Sequence, residues 1–380
     1  MKKILICSNS FFPAYKSGGP VRSLTNLVDS LSQDFCIDII TKDRDLGDLL
    51  PFTSVEIDKW VGYKSKSNVR VFYLSKEENT FAFWKSILEC DYDVIYLNGF
   101  FDYNFSIKVY LSSVFLSREK IKILLAPRGE LTDGAMSLKT NKKRLFLFLF
   151  NFFNLNKKIK FHFTSLFEKD DAPKYLKAFD SVLCPNMHEP YPEFFNKNKS
   201  DGRLNILFLS RLSEKKQLHI ILKALTSLEV EHDKHICFNV VGRHDDEKYF
   251  DYCKRLCKQI TNNNIEVKFW GEQNRKQVQK HYQSNHLFVL PTLNENYGHA
   301  IVEAMVNSCI LLISSNTPWS EVSSHGGFVV ENQLVDEYRK HIISTLSMGD
   351  LEFNQRTKSI YDYCTQILER NEKYIKSMFD

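Results

Sequence analysis

Two glutamates that lie eight residues apart, with a glycine between them, form the stretch with the clearest chemical potential. Glu295 follows an apolar run that ends at Pro291, and Glu303 lies on a helix predicted from about His299 to Asn307. Gly298 lets a ligand approach the backbone closely. The helix N-terminus offers N–H groups and a positive dipole end to an anion. The two carboxylates can accept hydrogen bonds from hydroxyl groups on either side of that anion.

This arrangement fits a nucleotide sugar, in which hydroxyl groups flank a diphosphate. Two acids at this spacing also occur on the solvent-facing side of ordinary helices. The interpretation therefore depends on the elements that position the stretch and on what else lies beside it.

Length and composition indicate a two-domain cytoplasmic protein. The 380 residues are 43% hydrophobic and 26% charged, enough for two ordinary cores. The net charge of +5 has no concentrated basic stripe, which argues against nucleic-acid binding. The nine cysteines are odd in number and scattered, as expected of buried thiols in a reducing cytosol. We expect neither a signal peptide nor a membrane-spanning helix.

Short apolar runs alternate with amphipathic helical patterns through both halves of the chain. This alternation predicts parallel, doubly wound α/β sheets. The polar region from Lys42 to Asn68 is expected to be irregular. A segment rich in Pro, Asn and Lys follows Pro185 and is the best linker candidate. We predict domains at 1–190 and 191–380, with a C-terminal helix that can pack back on the first domain.

Ligands of doubly wound sheets bind at the carboxyl ends of the strands. In the first half this rule selects the residues that follow predicted strands: Gly18, Gly19, Asn98, Gly99, Arg128, Gly129 and Glu130. A glycine pair at a helix start can face a phosphate or can simply form a tight turn.

In the second half the same rule selects two cations and two glycines. Arg211 lies at a strand end and Lys216 at the next helix start, where both can face an anion or can be solvated. Gly242 follows the next predicted strand, and Gly271 follows the strand that ends in Phe269-Trp270.

In this order, the motifs resemble retaining glycosyltransferases of family 4. The stretch Glu295 to Glu303 resembles the family signature, and Arg211 with Lys216 resembles its diphosphate-binding pair. Gly242, the Trp270-Gly271 loop and the Gly18-Gly19 loop match further family glycines. The resemblance implies the GT-B architecture, in which two Rossmann-like domains face a cleft. The N-terminal domain would then hold the acceptor and the C-terminal domain the nucleotide sugar.

The resemblance also implies roles for individual residues. Arg211 and Lys216 would stabilise the leaving diphosphate, as positioned cations do in a transition state. Glu295 would orient the transferred sugar, and Glu303 would bind the ribose. The other expected donor-binding residues are Gly298, Tyr297, His299, Gly242, Gly271, Gly18 and Gly19, and the acceptor-side candidates are Asn98, Arg128 and Glu130. No cofactor and no metal is expected, because the two cations neutralise the developing charge.

The implied reaction moves a sugar from a nucleoside-diphosphate donor to a sugar or a lipid-linked oligosaccharide. Ala126-Pro-Arg-Gly129 and Thr317-Pro-Trp319 resemble members that build bacterial surface polysaccharides such as lipopolysaccharide O-antigen and capsule. Ser210 and Gln217 stand where the family often has glycine. Many family members have a histidine after an N-terminal strand, and the sequence does not identify which residue takes its role here. An epimerase of the same fold and an inactive membrane-peripheral scaffold are the alternatives.

Two further patterns carry competing interpretations. Asp43-Arg-Asp45 and Asp91-Tyr-Asp93 match an Asp-x-Asp metal motif, but their positions favour structural roles. The segment 139–160 places a Phe-rich run between basic clusters. It can dock on an anionic membrane surface, or it can be a buried helix whose ends are solvated by lysines.

Overall fold

The chain forms two compact α/β units. The computed structural model describes residues 1–115, 121–132, 136, 140–244, 246–331 and 333–379. Unit 1 comprises Met1–Glu189 and Arg370–Asp380, and unit 2 comprises Pro190–Glu369. Each unit has a mainly parallel sheet, which confirms the prediction of two Rossmann-like domains. Two predicted ends, Leu116 of a helix and Lys139 of the basic segment, lie outside the described residues.

Unit 1 is built on an eight-stranded sheet. Its strands are β1 (Lys3–Ser8), β2 (Cys36–Lys42), β3 (Trp60–Tyr63), β4 (Lys66–Leu74), β5 (Val94–Asn98), β6 (Lys122–Ala126), β7 (Ile159–Phe163) and β8 (Asp180–Leu183). Its described helices include α1 (Gly19–Leu31), α2 (Phe81–Leu88), α3 (Lys108–Phe115), α4 (Thr140–Phe152) and α5 (Leu166–Asp171). The sheet order is β3-β4-β2-β1-β5-β6-β7-β8, so the chain reverses direction across the sheet between β1 and β5.

The prediction that residues 42–68 are irregular is wrong at its C-terminal end. Strand β3 pairs antiparallel with β4 at the edge of the sheet. Lys64 and Ser65 connect the strands with φ values of 46° and 59°. Positive φ at both turn residues suits the twist of a two-residue hairpin. The sequence did not predict this turn because Lys64-Ser65 lacks the Asn or Gly that is typical of two-residue hairpin turns.

Unit 2 contains a six-stranded parallel sheet. Its strands are β9 (Arg203–Leu209), β10 (His235–Val241), β11 (Ile265–Gly271), β12 (Leu287–Leu290), β13 (Ile310–Ser314) and β14 (Phe328–Val330). Its described helices include α6 (Leu218–Thr226), α7 (Glu247–Cys257), α8 (Arg275–Ser284), α9 (His299–Val306) and α10 (Val335–Leu346). The order β11-β10-β9-β12-β13-β14 reverses between β9 and β12. All residues of β12 and β13 are buried, as expected for parallel strands covered on both faces.

The last helix, α11 (Asp350–Phe379), contributes to both cores. Its first part places Phe353 and Ile360 in the core of unit 2. Its last turns place Met378 and Phe379 in the core of unit 1. The Phe379 ring lies 6.0 Å from the Phe35 ring, measured between centroids. Strand β1 and the last turns of α11 therefore both belong to unit 1.

Replacing Phe379 with alanine should destabilise unit 1 because the side chain is fully buried. We expect a loss of roughly 3–5 kcal/mol in the free energy of unfolding, measured with urea. Tyr374→Ala, on a side chain that is 61% exposed, is the matched control and should change this free energy by less than about 0.5 kcal/mol. Equal unfolding midpoints for Phe379→Ala and the wild type would show that the helix end does not anchor unit 1.

Candidate functional site

The loops that follow β9, β12 and β13 meet where the strand order of unit 2 reverses. Ligands of open α/β sheets bind at such a reversal, at the carboxyl ends of the strands. The Leu293 N–H donates to the Lys215 carbonyl at 2.9 Å, which joins the first two loops. Asn316 Nδ2 donates to the Leu293 carbonyl at 3.0 Å, and the Glu295 N–H donates to the Asn316 carbonyl at 3.1 Å. Two backbone hydrogen bonds and one from a side-chain amide therefore connect the three loops.

An ion pair between Lys216 and Glu295 lies among these connected loops. Lys216 Nζ donates directly to a Glu295 carboxylate oxygen, and the two side chains are 13% and 19% exposed. Lys216 ends a short 3-10 turn, and the next residue, Gln217, has a left-handed φ of 52°. Two residues that the sequence suggested separately are therefore in contact, each holding the other at the edge of the sheet.

Positive charge exceeds negative charge around this ion pair. The pKa of Lys215 is lowered by desolvation and then by repulsion from Lys216, with a smaller contribution from Arg211. Arg211 is exposed, and its guanidinium has no hydrogen bond or ion pair within the described part of the chain. Three cations thus lie near a single carboxylate, that of Glu295, which only Lys216 contacts directly. The excess of positive charge leaves a site that favours an anion.

Gly298 begins helix α9 beside the ion pair. Its φ of 79° is left-handed, and an added Cβ would lie 2.9 Å from Ile301 Cδ1 and 3.2 Å from Glu295 Cγ. Glycine is therefore needed for Glu295 to approach the helix start. Glu303 follows on α9 and is 7% exposed. Glu295, Gly298 and Glu303 therefore lie on one loop-and-helix segment that follows β12.

Aromatic residues pack beneath the segment that carries Glu295 and Glu303. Tyr297 is 5% exposed, and its carbonyl accepts from Trp319 Nε1 at 2.5 Å. The rings of Tyr297 and His299 lie 4.8 Å apart. The structure therefore gives the Tyr297 ring a packing role. Trp319, which sequence reasoning noted only for family resemblance, anchors the loop of Glu295 to the loop after β13.

Gly242 permits the closest backbone approach in this region. It has a φ of 139°, and an added Cβ would lie only 1.9 Å from the Ser210 carbonyl oxygen. Ser210 immediately precedes Arg211, so Gly242 sets the path of the loop that carries the cations. Gly271, with a φ of 65°, has no atom within 4 Å of an added Cβ. The neighbouring Trp270 is 46% exposed and donates through Nε1 to Asn239 Oδ1 at 2.9 Å.

In unit 1 the strand order reverses between β1 and β5, and the last residues of these two strands, Ser8 and Asn98, lie side by side. Asn98 Nδ2 donates to Ser8 Oγ at 3.1 Å. Gly18, with a φ of 63°, caps α1 and Gly19 begins that helix. The glycine loop starts at the end of β1, and an added Cβ at Gly18 would meet no atom within 4 Å. The space beside this loop is therefore open.

Three of the four Asp-x-Asp carboxylates, those of Asp43, Asp45 and Asp93, form structural contacts. Asp45 Oδ2 accepts from the N–H groups of Tyr15 at 2.7 Å and Lys16 at 3.1 Å, which ties the glycine loop to the loop after β2. Asp43 pairs with the neighbouring Arg44, and Asp93 accepts from a backbone N–H of β1 at 2.7 Å. Among the described residues, no group of three or more His, Cys, Asp or Glu side chains is arranged to hold a metal ion.

Two of the acceptor-side candidates, Asn98 and Arg128, are hydrogen-bonded to each other. Arg128 has a left-handed φ of 56°, and its Nε donates to Asn98 Oδ1 at 2.7 Å. Its remaining nitrogens bond Asn186 and, at 2.8 Å, the Tyr96 hydroxyl. This guanidinium is therefore held by three side chains, those of Asn98, Asn186 and Tyr96, and it orients Asn98 at the strand end.

Glu130, the third candidate, accepts hydrogen bonds from backbone N–H groups and makes no hydrogen bond to Asn98 or Arg128 among the described residues. Its Oε2 accepts from the N–H groups of Phe100 at 2.5 Å and Phe101 at 2.9 Å. Burial raises its pKa. Glu168 was missed by sequence reasoning, although Ser165 and Glu168 have capping-box spacing, and the Ser165 hydroxyl does accept from the Glu168 N–H at 3.3 Å. Its fully buried carboxylate accepts from the Gly129 N–H.

His162 was also missed, because strand β7 gives no signal beyond burial. Its Nε2 must donate to the Cys184 carbonyl at 2.7 Å, so Nδ1 accepts from the Tyr96 hydroxyl at 2.8 Å. A second proton, on Nδ1, would oppose that hydroxyl while Arg128 donates to it from the other side. Burial and then Arg128 accordingly lower the pKa of His162 to about 3.

Neutral His162 should therefore stabilise the fold in a pH-dependent way. Its pKa is near 6.5 in the unfolded chain and about 3 in the folded chain, so the contribution is complete above pH 6.5 and is lost toward pH 3. Between about pH 7 and about pH 4.5 it should cost roughly 2–3 kcal/mol. Urea unfolding of the wild type and His162→Gln at both pH values checks this. Parallel pH profiles would contradict it.

Gly242→Ala should destabilise unit 2 through the clash with the Ser210 carbonyl. We expect a loss of roughly 3 kcal/mol or more in the free energy of unfolding. Gly271→Ala is the control, because Gly271 also has a positive φ but an added Cβ would meet open space, and it should cost only about 1–2 kcal/mol. Equal losses for the two variants would show that the close approach does not matter.

Comparisons with known proteins agree with this geometry. Residues 191–360, within unit 2, match the family described as glycosyl transferases group 1. No match was found among curated protein sequences. Solved structures resemble the chain over nearly its full length.

HepE of Anabaena in complex with UDP-glucose has a TM-score of 0.69 and 15% identity, over 99% of this chain and 100% of that chain. Sucrose-phosphate synthase from Thermosynechococcus elongatus has a TM-score of 0.70 and 14% identity, over 100% of this chain and 98% of that one. WaaG, a glycosyltransferase involved in lipopolysaccharide biosynthesis, has a TM-score of 0.62 and 14% identity, over 98% of both chains. At these identities the likeness establishes the fold. The chain therefore has the GT-B fold, and its residues 191–360 form a domain of the glycosyl transferases group 1 family.

Proposed function

We propose that unit 2 binds a nucleoside-diphosphate sugar and that the chain transfers the sugar with retention of its anomeric configuration. The observation that carries the proposal is the Lys216–Glu295 ion pair at the strand reversal, with Arg211 and Lys215 beside it. An excess of cations next to a carboxylate suits a ligand that joins a diphosphate to a polyhydroxyl sugar. The HepE structure with UDP-glucose makes UDP the first diphosphate to test.

Arg211 would bind the diphosphate in this proposal. Its exposed guanidinium can form two parallel hydrogen bonds to phosphate oxygens. Lys216 would share its ammonium between Glu295 and the leaving oxygen. As the bond from the sugar to the diphosphate breaks, both cations would stabilise the negative charge that develops. No metal is needed for this neutralisation, so donor binding should persist with a chelator.

Glu295 and Glu303 would bind the two ends of the donor. Glu303, on helix α9, would accept hydrogen bonds from the ribose hydroxyls. Glu295 would accept from the hydroxyls of the transferred sugar and orient its anomeric carbon. The acceptor hydroxyl would attack on the face of the leaving group, and its proton would pass to the departing diphosphate. Retention of configuration follows from attack on that face.

The acceptor would be a sugar or a lipid-linked oligosaccharide bound by unit 1. Asn98, oriented by Arg128 at the reversal of the first sheet, and the open glycine loop at Gly18 are the groups that support this assignment. The role of WaaG in lipopolysaccharide biosynthesis and the Thr317-Pro-Trp319 motif favour surface-polysaccharide assembly as the pathway class. The proposed location is the cytoplasm, with peripheral contact to the inner face of the membrane.

Ligand-binding measurements can separate the roles of Arg211 and Glu303. With chelator present, UDP should bind the wild type, and Arg211→Ala should weaken UDP about 10–100-fold because a charge-assisted contact to phosphate is lost. The same variant should leave uridine affinity unchanged. Glu303→Gln should weaken UDP and uridine alike, by about tenfold, because both carry the ribose. Isothermal titration calorimetry measures all six affinities, those of the wild type and the two variants for UDP and for uridine.

Lys276→Ala is the control for this series, because Lys276 is an exposed cation on α8. It should leave UDP affinity unchanged. If UDP fails to bind, the other nucleoside diphosphates are titrated in turn. A wild type that binds none of them would contradict the donor site. A wild type that binds only with added metal would contradict the metal-free proposal.

A further inference from the structure

Helix α4 and the residue after it present an apolar face to solvent. The inward face packs in the core of unit 1 through Leu147 and Phe150, which are 5% and 3% exposed. The opposite face is far more exposed, with the following fractions: Leu145 62%, Phe148 64%, Leu149 43%, Phe152 65% and Phe153 63%. The spacing i, i+3, i+4, i+7 gives a continuous stripe along the helix. Such a stripe is unusual on a soluble surface and indicates an interaction site.

Uncompensated positive charge borders this stripe at both ends. Lys142 and Arg144 lie at its start, and Lys157 and Lys158 lie after its end, all exposed. Within the described ranges none of these four forms an ion pair. The sequence 140–160 contains six Lys or Arg residues and no Asp or Glu. The patch is therefore both apolar and cationic.

We propose that this face docks on the surface of an anionic lipid membrane. Its aromatic side chains would enter the headgroup region, and its lysines would contact the lipid phosphates. A second copy of the chain is a poorer occupant, because pairing two such faces would place like charges opposite each other. The helix has 13 residues, which is too short to span a bilayer. Within the described residues, no helix is long and apolar enough to cross a membrane. The stripe would thus lie along the surface.

The docking face adjoins the strand ends at which unit 1 would bind its acceptor. Lys143 Nζ, near the start of α4, lies 4.9 Å from the centre of the Phe101 ring. Phe101 is three residues beyond Asn98, the last residue of β5. Docking would therefore bring the acceptor edge of unit 1 near the headgroups, where a lipid-linked sugar is found. The purpose that we assign to docking, access to a lipid-linked acceptor, rests on the proposed function.

Vesicle cosedimentation of the full chain tests the docking face. Vesicles of phosphatidylcholine with phosphatidylglycerol should bind the protein, and vesicles of phosphatidylcholine alone should bind it at least about tenfold more weakly. Raising the salt from about 0.1 M to about 1 M should also weaken binding, because the Debye length falls from ~10 Å to ~3 Å.

Two double variants separate the apolar and the charged contributions. Phe148→Ser with Phe152→Ser, and Lys157→Glu with Lys158→Glu, should each weaken binding about tenfold or more. The matched controls, Leu49→Ser with Leu50→Ser and Lys276→Glu with Lys280→Glu, change exposed residues elsewhere and should bind as the wild type does. All variants should keep the wild-type melting temperature, because the altered side chains are exposed.

Three outcomes would overturn the proposal. The first is equal binding of the wild type to both kinds of vesicle. The second is unchanged binding by both docking variants. The third is a wild-type dimer without vesicle binding that Phe148→Ser with Phe152→Ser dissociates, which would identify a second copy as the occupant. UDP affinity, measured on the same preparations without vesicles, should be unaffected by the docking variants, so failure of the donor site is distinguishable from failure of the docking face.

Discussion

The contact between Lys216 and Glu295 is the interaction on which the candidate site depends. It joins the loop after β9 to the loop after β12, the two strands between which the sheet order reverses. Without Glu295, three cations would repel one another at the end of β9. Desolvation is the main cause of the lowered pKa of Lys215, and repulsion from Lys216 and Arg211 adds to it. Without Lys216, the carboxylate would face the start of α9 alone. The ion pair therefore holds both groups ready for a ligand that can interact with each of them.

Backbone geometry makes this contact possible. Gly298 lets the Glu295 side chain lie against the start of α9, and Gly242 lets the loop of Ser210 and Arg211 pass within reach of β10. A side chain at either position would displace a charged residue of the site. These glycines are therefore needed because they let two backbone segments, or a backbone and a side chain, approach closely. Neither glycine has to contact a ligand to be needed.

The sequence was informative where a local pattern determines the structure. Continuous apolar runs such as Leu287–Leu290 predicted buried parallel strands, and the order of strands and helices predicted two doubly wound sheets. Contacts between distant residues were not predictable in this way. Lys216 and Glu295 are 79 positions apart, and their pairing follows from the sheet order. His162 gave no signal, because its role depends on Tyr96 and Arg128, and the β3–β4 hairpin was missed because its Lys-Ser turn lacks the usual residues.

Release of UDP from UDP-sugars in the absence of acceptor tests the central claim most directly, because it requires the donor site alone. With chelator present, the wild type should hydrolyse at least one UDP-sugar slowly. Glu295→Gln should lower that rate by about 10²-fold or more, while UDP affinity stays within about threefold of the wild type, since this side chain is assigned to the sugar. Unchanged hydrolysis by Glu295→Gln would contradict the assignment of the Lys216–Glu295 pair to the reacting end of the donor.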